Sequence, residues 1–92
     1  MRRKLLFVCL GNICRSPAAE SVFSNLIKVQ GLEDNFIVDS AGTGSWYVGN
    51  KADSRMRNAA QKRGININSI ARKIALEDLQ TFDFILTMDS NN

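Results

Sequence analysis

The chain has 92 residues, 45% of them apolar and 23% charged, and a net charge of +3. This composition fits one globular domain and excludes a disordered polyelectrolyte. No run approaches the length of a membrane span. The absence of histidine excludes Ser-His, Cys-His and zinc-histidine chemistry, and two cysteines alone fall short of a zinc site, so no metal or other cofactor is expected.

In chain order, the basic start Met1-Arg2-Arg3-Lys4 precedes an apolar segment of about six residues, shorter than the core of a secretory signal. A solvated strand start is the expected reading. The remaining basic residues are scattered and the aromatic residues few, which argues against a nucleic-acid surface. Leu5-Leu6-Phe7-Val8 predicts a buried strand that delivers Cys9 to its carboxyl end. A tight loop, Leu10-Gly11-Asn12-Ile13-Cys14, leads to Arg15 and Ser16. Pro17 suits the opening of a helix, because its missing N–H is not needed there. Ala19, Val22, Phe23, Leu26 and Ile27 then recur at helical spacing as far as Gln30, and Gly31 supplies the stop.

Phe36-Ile37-Val38 predicts a second strand, parallel to the first through a right-handed crossover. Ligands of such sheets bind outside the carboxyl ends of the strands, so the segment Asp39 to Asn50 belongs near Cys9. Within it, Trp46 and Tyr47 either cover the edge of the core or wall a cleft above Cys9, offering flat faces to a phenyl ring. Asp53 or Ser54 caps a helix to Arg63, with Met56, Ala59 and Ala60 as its apolar stripe and Gly64 as its stop. Ile65, Ile67 and Ile70 lie in a loop over the core, and Ala71-Arg72-Lys73 reads as solvated surface. A short helix at Leu76-Glu77-Asp78-Leu79 precedes a third strand, Phe84 to Met88, whose apolar run implies burial on both faces. Asp89-Ser90 resembles a further helix cap.

The loop between the first strand and its helix carries the chemistry. Backbone N–H groups and a helix N-terminus converge there on one point, which is an anion site. Those amides and the arginine six positions on favour the thiolate of Cys9, the nucleophilic form. Arg15 offers a planar fork matched to two phosphate oxygens. Gly11 lets the backbone approach the anion closely. Asn12 and Ser16, short hydrogen bonders, are expected to brace the loop, and Ser16 also suits an N-cap or a hydroxyl pointed at the Cys9 sulfur. Cys9 and Cys14 enclose too small a ring for a structural disulfide, so a reducing, cytoplasmic setting is expected.

Val8-Cys9-Leu10-Gly11-Asn12-Ile13-Cys14-Arg15-Ser16-Pro17 closely resembles the signature of the low-molecular-weight protein tyrosine phosphatases. The resemblance continues through Asp39-Ser40-Ala41-Gly42 and Trp46 to the end of the chain. It implies a three-layer α/β/α fold with a parallel, Rossmann-like sheet and hydrolysis of phosphotyrosine or small aryl phosphates through a cysteinyl-phosphate. Cys9, Arg15 and Ser16 take the catalytic roles, and residues 10–14, Ser40, Trp46 and Tyr47 hold the substrate. Ser40 is expected to brace the phosphate loop, and Arg72, where the family has an arginine near this place, to support the site region from outside. Inorganic phosphate or another oxyanion is the expected inhibitor. Cys14 is either a partly buried loop residue or the redox partner of Cys9.

The resemblance further implies one incomplete domain over residues 1–92, truncated after the third strand. The fourth strand, the closing helices and the loop bearing the general acid fall outside these residues, leaving an open sheet edge. A missing proton donor costs about 10²–10⁴-fold in rate. Two alternatives are an arsenate reductase of the same fold and a phosphate-binding module without turnover. The first needs further cysteines between residues 76 and 92, and none is present.

Overall fold

A computed structural model describes residues 2–88 of the chain. Strand β1 (Arg3–Cys9) is central, with β2 (Phe36–Gly42) and β3 (Phe84–Thr87) paired parallel on either side in the order β2-β1-β3. Side chains alternate across a strand, and both faces of β1 are covered, which is why its apolar run is unbroken. On one face Leu6 and Val8 pack with Ala41 against Ile74, Phe82 and Ile85. On the other, Phe7 meets Phe23 of helix α1 (Arg15–Val29), and Phe23 in turn stacks edge-on against Phe36 at 5.5 Å between centroids. The sheet is thus the middle of three layers.

Helix α1 begins two residues before Pro17. Every N–H of a helix's first turn lacks an internal acceptor, so proline is as well tolerated here as at the first position. Gly31 ends the helix at φ 72°, with Gly31 N–H donating to Lys28 and Leu32 N–H to Ile27. This pair of bonds requires a left-handed residue and satisfies two terminal carbonyls.

Helix α2 (Ser54–Gln61) is capped by Asp53, whose carboxylate accepts from Met56 N–H at 3.2 Å. It stops two residues short of the predicted Arg63. Between α2 and helix α3 (Leu76–Thr81), Ile67 and Ala71 are buried while Ile70 is 51% exposed. Ile70 pairs instead in an antiparallel bridge with Lys51, so that its backbone, not its side chain, serves the fold. Strand β3 pairs on one side only among the described residues, and Phe84 and Leu86 remain exposed. The burial expected on both of its faces is therefore not met there. The proposed cap at Asp89-Ser90 lies outside the described residues.

Candidate active site

Cys9 ends β1 and is 6% exposed, at the floor of a cavity of about 170 Å³ lined by Cys9, Leu10, Gly11, Ile13, Cys14, Arg15 and Tyr47. Its Sγ lies 2.9 Å from the Ser16 hydroxyl and accepts from Asn12 N–H at 3.3 Å and Ser16 N–H at 3.5 Å. Burial by itself would raise the thiol pKa. The Ser16 hydroxyl and the amides of Ser16, Asn12 and Cys14 outweigh that burial and hold the thiol below its ordinary value. Ser16 is not the N-cap; it sits inside the first turn of α1, with its hydroxyl on the sulfur. Ser16→Ala removes a bond to the thiolate worth roughly 1.5–3 kcal/mol. Alkylation of Cys9 by iodoacetate at pH 6 is expected to slow about tenfold, read from the pH profile of the rate.

The loop directs its polarity by a simple division of partners. The carbonyls of Cys9, Leu10 and Ile13 are taken from outside by the N–H groups of Thr43, Gly44 and Asp53, at 3.0, 2.9 and 2.7 Å. The amides of Gly11 and Ile13 have no partner among the described residues, which leaves donors for an anion. Asn12 makes the turn possible. It adopts φ 56° and is 1% exposed. Its amide donates to the Ser16 hydroxyl at 2.8 Å, and its Oδ1 accepts from Arg72 N–H at 2.9 Å. Arg15 lines the cavity, with Nη1 donating to the Met88 carbonyl at 2.7 Å.

The two aromatic candidates separate. The Tyr47 ring lines the cavity and lies against Gly11, where a Cβ would meet it at 2.8 Å. Glycine is needed at position 11 for the ring as well as for an anion. Trp46 is 71% exposed, lies over Gly44, and does not line the cavity. Ser40 does not reach the loop either. Its hydroxyl donates to Glu20 Oε1 at 2.6 Å, because β2 turns that side chain towards α1.

Glu20 is itself held above the usual carboxyl pKa, chiefly by burial and also by Asp39, against the pull of Ser40 and Arg72. A raised folded pKa means that the folded state gains protons first as pH falls from neutral. Wild-type stability relative to Glu20→Gln is therefore expected to rise between pH 7 and about 4.3, the unfolded glutamate value. Thermal midpoints across that range check it.

The sequence left one structural cluster unread. The Arg72 guanidinium bridges Asp39 Oδ2 at 3.0 Å and both oxygens of Asp78 at 3.0 and 3.1 Å. Its carbonyl also accepts from Gly42 N–H at 2.8 Å. Asp78 is buried and accepts from Ala75 N–H at 2.7 Å, fixing the start of α3. An acid at the third position of a short helix was the available signal for this role. The Arg72 backbone N–H, by donating to Asn12 Oδ1, ties this segment to the loop.

Among the described residues no group of side chains is arranged to hold a metal, and no helix is long and apolar enough to cross a membrane. Residues 4–92 match the sequence profile of the low molecular weight phosphotyrosine protein phosphatases. A phosphatase of that name from Schizosaccharomyces pombe is 51% identical over 90 residues, which cover 97% of this chain and 58% of the relative. The crystal structure of an Entamoeba histolytica protein tyrosine phosphatase with Hepes in its active site superposes with a TM-score of 0.93 at 51% identity, covering 98% of this chain and 58% of that one. YfkJ from Bacillus subtilis gives 0.94 at 42% identity, covering 100% of this chain and 58% of its own. The chain thus spans under three-fifths of the length of the proteins it matches. With the signature, the sheet and the loop geometry all in agreement with these matches, the chain belongs to the low molecular weight phosphotyrosine protein phosphatase family.

Proposed function

We propose that these residues form the phosphate-binding and nucleophilic part of a protein tyrosine phosphatase domain acting on aryl phosphate monoesters in a reducing, cytoplasmic setting. The observation that carries this reading is the Cys9 sulfur, held by the Ser16 hydroxyl and the amides of Asn12 and Ser16, beneath a cavity where the amides of Gly11 and Ile13 are unspent. The thiolate attacks phosphorus, forming an S–P bond as the P–O bond to the phenol breaks. Arg15 and the loop amides hold the oxygens on which charge gathers. Water then attacks phosphorus, the S–P bond breaks, and thiolate and inorganic phosphate are released. No carboxylate lines the cavity among the described residues. The described residues supply no proton donor there, so they are expected to favour leaving groups that depart without a proton, such as p-nitrophenolate, and to be slow on alkyl phosphates.

Iodoacetate tests the core of the proposal. Fast alkylation of Cys9 below pH 7, suppressed by inorganic phosphate, is expected. A slow reaction, or one that phosphate does not protect, overturns it. Release of more than one equivalent of p-nitrophenolate per chain distinguishes the enzyme from a binding module without turnover.

Cys14, exposed and free, is the proposed redox partner. Peroxide converts the Cys9 thiolate to sulfenic acid, and attack by Cys14 forms the disulfide and releases water. Cys14→Ser is expected to lower the fraction of activity that thiols recover after peroxide treatment. Unchanged recovery counts against the pairing.

A further inference from the structure

We infer a second oxyanion site, distinct from the Cys9 cavity, in the polar cleft between helix α2 and residues 66–70. Two cavities of about 130 and 160 Å³ flank Arg57 and share it with Ile67 and Asn68. Their polar walls are Lys51, Arg57, Gln61, Asn66, Asn68 and Ser69, all able to donate hydrogen bonds, and among the described residues no carboxylate lines either cavity. Among the described residues neither Lys51 nor Arg57 forms an ion pair. Two neighbouring cations without a counter-charge repel one another, and an anion between them removes that repulsion.

The cleft is also held in shape before any ligand arrives. Arg57 Nε donates to the Ala52 carbonyl at 2.9 Å, which fixes the guanidinium and leaves its terminal nitrogens for a ligand. The bridge between Lys51 and Ile70 carries the lysine to the 68–70 segment. A separate observation points to a missing partner. Ser69 Oγ is the buried side-chain oxygen that lacks any hydrogen bond among the described residues, and Ser69 lies on the wall of the smaller cavity. Buried hydroxyls are normally satisfied. The Ser69 oxygen is itself buried, so a rotation about χ1 is required to turn it towards an acceptor in the cleft. With about 30 Å³ as the share of one water, 130 Å³ admits a tetrahedral oxyanion. The ligand class is therefore a phosphate group, free or carried on a monoester.

Residue-resolved NMR of the 92-residue chain tests this with inorganic phosphate, chloride holding the ionic strength constant. The amides of Lys51, Arg57 and residues 66–69 are expected to shift saturably, with a midpoint separate from that of loop residues 10–15. Because the loop reports on its own binding, failure at either site is visible independently of the other. Lys51→Met and Arg57→Gln are each expected to raise the cleft midpoint about fivefold, as for loss of one partly exposed ion pair. Lys51→Met breaks no side-chain hydrogen bond and so guards against misfolding of the Arg57 variant. Phosphoserine moving the same amides extends the site to monoesters, and phosphate alone doing so restricts it to the free ion. Amides 66–69 that stay still, that follow chloride equally, or that keep their midpoint in both variants overturn the inference.

Discussion

Asn12→Ala is expected to lower stability by about 3 kcal/mol and to slow alkylation of Cys9 at pH 6 at least tenfold. The energy has two sources. Alanine in the left-handed region costs roughly 1–2 kcal/mol, where asparagine is better tolerated. The Ser16 hydroxyl also loses a donor at 2.8 Å and the Arg72 N–H its acceptor at 2.9 Å. Unmet groups of this kind cost about 1–3 kcal/mol each when buried. Against a total of about 5–15 kcal/mol for a domain, the loss is large. Companion variants separate the causes. Asn12→Gly relieves the backbone at φ 56° but loses both side-chain bonds, so it regains part of the stability and little of the reactivity. Asn12→Asp keeps an acceptor for Arg72 but buries an unpaired negative charge near the sulfur, so at neutral pH it is no more stable than alanine and alkylates slowly. Denaturant unfolding and iodoacetate rates measure the two effects. Full reactivity in Asn12→Ala would show that the thiolate does not depend on this side chain.

Arg72→Met is expected to cost about 2–3 kcal/mol at pH 7, with the loss shrinking in acid. Removing one partner of a fully buried pair costs roughly 3–5 kcal/mol. That figure is discounted here, because the Arg72 side chain is 34% exposed and Asp39 44% exposed, although Asp78 is only 10% exposed. The exposed half of the bridge contributes little. The pH dependence follows from Asp78, whose carboxyl is held below its usual pKa first by the hydrogen bond from Arg72, against burial. A depressed folded pKa adds stability that is complete above the unfolded value of about 3.9 and disappears as pH falls through the folded value. The gap between wild type and variant should therefore be full at neutral pH and close below about pH 4. Arg72→Lys recovers only part of it, since an ammonium cannot make the paired contact to both oxygens of Asp78. An equal gap at pH 3 and pH 7 would assign the effect to lost packing.

The nucleophile loop could be read from the chain because its chemistry is contiguous: Cys9, the amides that follow it and Arg15 all belong to one turn. Strand β1 was equally plain, as an unbroken apolar run ending in a cysteine. Trp46 and Tyr47 were harder, since they are neighbours of similar character and only the contact of Tyr47 with Gly11 decides which one walls the cavity. Ser40 was placed by analogy, and the direction of its side chain on β2 instead gave its hydroxyl to Glu20. The Arg72 bridge was harder still, since only the acid at the third position of α3 signalled any part of it. It joins residues 33 and 6 positions apart in sequence, and each of them on its own looks like solvated charge.

The bond from Arg72 to Asn12 spans 60 residues, and those from Thr43 and Gly44 to the loop carbonyls cross from the second strand to the first. None of them exists until β1 and β2 have paired and the later segment has closed over them, steps that come late because distant contacts pay their closure entropy first. On an unfolded chain Cys9 is an ordinary thiol. The heightened reactivity proposed for it depends on the folded loop, so the rate at which it is labelled gauges how much of a sample has reached the native state.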